Sequence, residues 1–219
     1  MRAITRIRRQ GITDSVYDAL RQAILQRVFH PGERLHVEAL AEKFDVSLMP
    51  VRQAIQRLAA EGLMEVRPRS GTYVARLSAR NVAETFDLRR ALECLAAETA
   101  ILHVTDVVLG QMRETLDQMR SAENSQHLRL NTSFHRLLVE LSGNRRLLDT
   151  YDHLNAHIQI ARIHQSTADW AQRTDQERRE HAEIYQALRS RDAGRLSDAL
   201  ARHIERAKKA LIADLEKME

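Results

Sequence analysis

The chain has 219 residues, 43% of them hydrophobic, a formal net charge of +4 and a single cysteine, Cys94. That is enough apolar material for a domain of about 70 residues beside one of about 140, and one cysteine excludes an internal disulfide framework. No apolar run approaches the roughly 18 residues of a membrane span, the basic start MRAITRIRRQ leads into no apolar signal core, and no glycine-rich phosphate loop occurs. A cytoplasmic protein outside the usual nucleotide-dependent enzymes is therefore expected.

Charge is unevenly spread. Residues 1–76 hold 13 Lys or Arg against 8 Asp or Glu, whereas residues 77–219 hold 21 against 22, so the positive excess lies in the first third. A local basic excess is the footprint of a phosphate-binding module. Residues 1–12, with Arg2, Arg6, Arg8 and Arg9, form a basic arm. From Thr13 to about Arg27, Val16, Leu20, Ile24 and Val28 fall at helical spacing, and Pro31-Gly32-Glu33 closes the connection that follows. Val37, Leu40, Ala41 and Phe44 predict a short second helix, broken at Asp45-Val46-Ser47.

Ser47 is a suitable N-cap for a third helix, and Pro50 is tolerated in its first turn, where the missing N–H would have had no partner. Val51, Ala54, Ile55 and Leu58 supply a buried side. Met49, Arg52, Gln53, Gln56 and Arg57 face outward, with Ser47 and Leu48 at the leading end. Such a face suits the major groove of double-stranded DNA, because Arg and Gln reach both phosphates and base edges. After Gly62, strand-forming runs Leu63 to Arg67 and Thr72 to Arg76 flank Pro68-Arg69-Ser70-Gly71, a basic turn. Residues 13–76 thus read as a winged helix-turn-helix.

Residues 77–80 read as a hinge, with Ser78 an N-cap, and residues 81–219 as an all-helical antiparallel bundle, since only Gly110, Gly143 and Gly194 and no proline interrupt them. On the helix from Asn81 to about His103, Val82, Phe86, Arg89, Glu93, Ala96 and Ala100 share one side. Arg89 and Glu93, one turn apart, are either an internal ion pair or a ligand-facing arginine with its neighbour. From Thr105 to Ala122, Val108, Met112, Leu116 and Met119 face inward. From Gln126 to Ser142, Asn131 and His135 stand one turn apart on a stripe with Leu128 and Leu138, and Gly143 is the expected C′ residue. Such a pair can ligate a metal or be hydrogen-bonded core.

Arg145 to His164 buries Leu147, Tyr151, Leu154 and Ile158, with His153, His157 and His164 to one side and Asn155, Gln159 and Arg162 to the other. His153 and His157 are a rival pair at ligand spacing. Residues 165–174 read as a loop with Trp170 as a plug, before a final hairpin of helices Asp175–Arg191 and Ala193–Glu216 turning at Asp192-Ala193-Gly194. His181 lies eleven residues before Asp192 and His203 eleven after it, which sets both about 16 Å from the turn and level with each other. Each sits on its helix's apolar stripe. Two inward histidines plus the Asn131/His135 pair could converge on one divalent ion, and nitrogen-rich ligation suits Zn²⁺ or Ni²⁺.

The strings YDALRQAILQRVFHPGERL, LAEKFDVS, PVRQAIQRLAAEGL and RSGTYV, in this order, resemble the DNA-binding domain of the GntR superfamily of bacterial transcription regulators. The resemblance implies that Arg52 contacts DNA and that the wing tip at Ser70-Gly71 enters the minor groove. Leu48-Met49 stands where the family usually has Arg-Thr, which implies a different operator. NxxFH, EHxxIxxAL and the histidine in the last helix, with Arg89-Arg90-Ala91-Leu92-Glu93, resemble the FCD effector domain of the FadR-type branch over residues 81 to about 215. That likeness implies a metal held at Asn131, His135, His181 and His203, and a carboxylate metabolite bound there with help from Arg89 and Arg162. Asn131 replaces the usual aspartate, so weaker metal binding and an extra unit of positive charge at the ion are expected.

A homodimeric, ligand-responsive repressor is the expected function, since paired half-sites about one helical turn apart require a two-fold protein. Two other readings compete: a metal-sensing DNA-binding protein with no organic effector, and a metal-dependent enzyme. The enzyme has no general base or nucleophile at motif-like spacing beside the histidines.

Overall fold

The computed structural model describes residues 11–26, 28–76, 78–122, 124–163 and 170–217, except for the side chains of 124, 125, 156, 157, 159–163 and 170–172. Most of the expected basic arm, the side chains of His157, Gln159, Arg162 and Trp170, and the whole of His164 fall outside that description. The chain divides into two compact units, Met1–Arg76 and Leu77–Glu219.

The first unit runs α1 (Ile12–Leu25), β1 (Arg34–Leu35), α2 (Val37–Lys43), α3 (Leu48–Ala60), β2 (Met64–Arg67) and β3 (Gly71–Val74). Val16, Leu20 and Ile24 of α1 and Val51, Ala54, Ile55 and Leu58 of α3 are buried, so two amphipathic faces make one core. The stripe on α1 does not extend to Val28, which is 57% exposed. Its N–H instead donates to Ala23 O at 2.9 Å, a wide bond that ends the helix. Ser47 occupies the N-cap of α3 in extended conformation, but its side chain makes no capping hydrogen bond.

The sheet is antiparallel in the order β1-β3-β2, with Arg34 opposite Tyr73 and Glu65 opposite the same residue on the other edge. Strand β1, two residues long, is too short to leave a periodic trace in the sequence. At the tip between β2 and β3, Arg69 has φ +63° and Gly71 φ +124°. A side chain at Gly71 would be strained there, and its Cβ would sit 3.0 Å from Arg34 Nε.

The second unit is wholly helical among the described residues: α4 (Ala79–His103), α5 (Asp106–Met119), α6 (Asn124–Glu140), α7 (Arg145–Ile163), α8 (Trp170–Arg189) and α9 (Ala193–Glu216). Among the described residues, four starts are capped by side chains, Ser78 accepting from Asn81 N, Thr105 from Val108 N, Asn144 from Leu147 N and Asp192 from Arg195 N. Gly143 closes α6 at φ +69°. Helix α4 packs along α9 and also against α6 and α7. Its buried side is Val82, Thr85, Phe86, Arg89, Glu93, Ala96, Ala97 and Ala100.

Several boundaries differ from the sequence reading: α4 starts at Ala79, inside the expected hinge, and α6 at Asn124, ahead of Gln126. Helix α8 begins at Trp170, where a loop to residue 174 was expected. No Gly or Pro breaks that segment, and Arg173, now helical, forks onto the buried Asp214 of α9, with Nη2 to Oδ1 at 2.8 Å. The turn into α9 is made by Arg191 at φ +55°, so Ala193 and Gly194 belong to the first turn of α9. No described helix is long and apolar enough to cross a membrane.

Candidate functional site

In the first unit the outward face of α3 divides in two. Met49 is 60% and Leu48 38% exposed, and Ser47, Arg52 and Gln56 are exposed beside them. Gln53 and Arg57, expected on the same DNA-facing surface, are exposed too but turn towards α1. Thr13 Oγ1 donates to Gln53 Oε1 at 3.0 Å, and Arg57 Nη1 donates to Asp14 Oδ1 at 2.6 Å with its guanidinium 4.1 Å above the Tyr17 ring. One turn on, Tyr17 OH donates to Glu61 at 2.7 Å. Burial and the Glu61 carboxylate push that phenol up to about 12. These contacts fasten α3 to α1, a use of Gln53 and Arg57 that periodicity cannot separate from an outward-facing role. At the wing Arg69 and Ser70 are exposed beside Gly71, Tyr73 OH donates to Ser70 O at 3.0 Å, and Arg67 lies 4.5 Å over the Tyr73 ring.

In the second unit the buried polar residues converge. His135 from α6, His181 from α8 and His203 from α9 are all 0% exposed, and one ring nitrogen of each lies within 4.8 Å of the others. His135 Nε2 and His181 Nε2 are 3.1 Å apart. The rings of His135 and His203 stack with centroids 5.0 Å apart, and Phe134 packs on His181 at 4.9 Å.

Carboxylates hold two of the histidines from behind. Glu93 Oε2 lies 2.7 Å from His135 Nδ1, and Glu180 Oε2 lies 2.8 Å from His203 Nδ1. Burial drives His135 down to about 3 and His203 to about 4, against the raising pull of these carboxylates, so both imidazoles are neutral at pH 7. A neutral imidazole facing a carboxylate with Nδ1 carries its proton there, which leaves the Nε2 lone pair pointing into the cluster. His203 Nε2 is buried and has no hydrogen-bond partner among the described residues. Burial would raise Glu180, yet bonds from His203, Arg206 and Gln176 pull it down to about 2.

Glu93 is the hub. Its Oε1 accepts from Arg89 Nε at 2.7 Å and from Tyr151 OH at 3.0 Å, while Oε2 faces His135. Burial opposes its charge, but Arg89 and His135 outweigh burial and hold it well below the usual carboxylate range. The ion-pair reading of Arg89 is the one the geometry shows. Arg89 is 1% exposed and paired with Glu93, yet its Nη1 is buried with no hydrogen-bond partner among the described residues. Asn155 is buried on α7, one turn beyond Tyr151. His153 is exposed and bonded to Asp149 O, away from the cluster, so the rival pair is not assembled through it.

Asn131 joins the cluster, buried beside His181. Its amide nitrogen, not its oxygen, faces the cluster, donating to Glu177 Oε1 and lying 3.4 Å from His181 Nε2. Glu177, Glu180 and the supporting His127 escaped sequence reasoning. The first two lie one turn and one residue before His181, a spacing that also describes an ordinary solvated helix face. A cavity of about 490 Å³ between α5 and α8 reaches His181, with Arg113, Arg120, Arg178 and Arg179 on its wall.

Known proteins share this architecture. Residues 84–206 match the FCD domain family, and residues 12–74 match the family of bacterial regulatory proteins called gntR. The chain is 30% identical over 200 residues to the HTH-type transcriptional repressor RspR of Escherichia coli, covering 90% of this chain and 87% of that one. The solved structure of E. coli McbR/YncC superposes with a TM-score of 0.80 at 21% identity, covering 94% of this chain and all of that one. A metal-free FCD domain of TM0439 aligns over 65% of this chain and 99% of its own with a TM-score of 0.56 at 19% identity. At those identities the two structures speak for the fold alone.

Glu93→Ala should destabilise the helical unit by about 3–5 kcal/mol, because it leaves the Arg89 charge buried and unpaired. Chemical denaturation monitored by circular dichroism would measure it.

Proposed function

This chain belongs to the GntR family of bacterial regulatory proteins, with an FCD domain behind its winged helix-turn-helix, and from that premise we propose a metal-centred, effector-controlled repressor. It is a DNA-binding transcription regulator, not an enzyme. The name of the relative RspR supports repression. Ser47, Leu48, Met49, Arg52 and Gln56, with the wing tip Arg69-Ser70-Gly71, read the operator in this proposal. Gln53 and Arg57 position the helix.

The observation that carries the sensing half is the convergence of two Nε2 lone pairs, on His135 and His203, whose rings are locked from the far side by Glu93 and Glu180. A carboxylate behind each imidazole is the arrangement that orients metal-bound histidine. Three imidazole nitrogens suit Zn²⁺ or Ni²⁺ better than Mg²⁺. A carboxylate effector would reach the ion and take its second contact from Arg89 Nη1, whose planar fork is made for such a partner. Asn155 follows Tyr151 by one turn on α7, with Gln159 and Arg162 further along the same helix. Effector control then works by linkage: a metabolite that binds one posture of the dimer better shifts the population towards it, by no more than its differential affinity.

The dimer contact is assigned to α4. Leu88, Leu95 and Leu102 repeat every seven residues on its outer side and are 58%, 51% and 67% exposed. A second copy of the same stripe would cover it as a two-helix seam, which agrees with the need for two DNA-reading units per operator. The cytoplasm is the compartment this work requires.

Three outcomes are expected. Arg52→Ala weakens operator binding by about 1–3 kcal/mol in fluorescence anisotropy without changing the melting temperature. Leu95→Glu turns the dimer into a monomer in sedimentation velocity and costs most of the operator affinity. In a thermal-shift screen of di- and tricarboxylates on Zn²⁺-loaded protein, an effector at about a hundred times its Kd adds roughly 2.7 kcal/mol of stability. His203→Ala abolishes that gain; an equal gain in the variant separates the effector from the metal.

A further inference from the structure

Three histidines leave a tetrahedral ion one ligand short, and we infer that Glu177, rather than Asn131, supplies it. The inference rests on the metal-site reading above. Glu177 lies on α8 one turn before His181, its side chain is 14% exposed, and its Oε1 is 4.0 Å from His181 Nε2. Bonds of about 2.1 Å to a tetrahedral ion set neighbouring ligand atoms about 3.4 Å apart. The distances of 3.1 Å from His135 Nε2 to His181 Nε2 and 4.0 Å from His181 Nε2 to Glu177 Oε1 fall on either side of that value. The three imidazole nitrogens lie within 4.8 Å of one another and Glu177 stands outside that group, so its carboxylate has to swing inward to complete the site.

Asn131 is engaged otherwise, as a donor to Glu177 Oε1. The amide nitrogen it turns to the cluster is a donor with no lone pair to give. What that nitrogen does is hold Glu177 Oε1, while His127, 1% exposed, lies with Nε2 at 3.4 Å from Oε2. Asn131 and His127 are positioning residues around a carboxylate that enters from the neighbouring helix. The carboxylate that a residue on α6 could have provided comes from α8.

The charge balance changes accordingly. Three neutral imidazoles and an amide would leave a divalent ion its full two positive charges, whereas three imidazoles and Glu177 leave one. An incoming carboxylate then meets a singly positive centre beside Arg89, which is still an attractive field.

The test is titration of Co²⁺ into chelator-stripped full-length protein, followed by visible absorption, with Zn²⁺ affinity from competition against a chromophoric chelator. Glu177→Gln, nearly isosteric, should weaken Zn²⁺ about a hundredfold and alter the Co²⁺ band, since losing a ligand costs at least as much as losing a supporting residue. Asn131→Asp placed in that background should restore affinity to within about tenfold of wild type, because it returns a carboxylate to the same corner. Glu177→Gln that matches wild type in both affinity and band shape overturns the assignment. Failure of the underlying site looks different: His203→Ala then keeps wild-type affinity, or the unaltered protein binds neither ion, and either result removes the proposal with the site. Circular dichroism melts of each variant show that the comparison is between folded proteins.

Discussion

A single buried carboxylate organises the helical half of this molecule. Glu93 has no water to solvate it, so its charge survives only because Arg89, Tyr151 and His135 surround both oxygens. Those partners come from α4, α7 and α6, so the electrostatic demand of one side chain fixes how three helices sit. It also fixes which nitrogen of His135 faces inward. An apolar core could hold the same helices together with less risk, and what such a core could not do is aim a lone pair.

The same logic recurs at Glu180 and His203, on the hairpin of α8 and α9. Burial removes the protons from both imidazoles and the carboxylates choose the tautomer, so a region that is expensive to desolvate becomes a set of neutral donors at fixed separation. A cation there would repay part of that cost. Because α4 carries both the hub Glu93 and the exposed Leu88, Leu95 and Leu102, a change at the cluster is one rigid helix away from the proposed dimer seam. Arg173 on Asp214 and the capped starts of α4, α5 and α9 stiffen the frame in which such a change would act.

Much of this was legible in the residues. The buried sides of α3 and α4 follow from spacing alone, and the level placement of His181 and His203 follows from equal distances to the turn. What was not legible shares one cause: a polar side chain on a helix announces its face but not its partner. Gln53 and Arg57 lie on the outward face of α3, yet Thr13, Asp14 and Tyr17 claim that side for α1. Asn131 has the spacing of a ligand, but the acceptor that turns its amide, Glu177, comes from a helix 46 residues away. The start of α8 at Trp170 was hidden because a polar stretch without glycine or proline reads equally well as loop or as exposed helix. Spacing brought Asn131 and the three histidines together as candidates, and family resemblance implied that they form one ligand set.

The most direct measurement is anomalous diffraction from crystals grown with Zn²⁺, collected on both sides of the zinc absorption edge. The account predicts one strong peak in the helical unit, within bonding distance of His135, His181 and His203 through their ring nitrogens. A peak elsewhere on the surface with none among the three histidines, or a water molecule hydrogen-bonded to their ring nitrogens in that position, would contradict it.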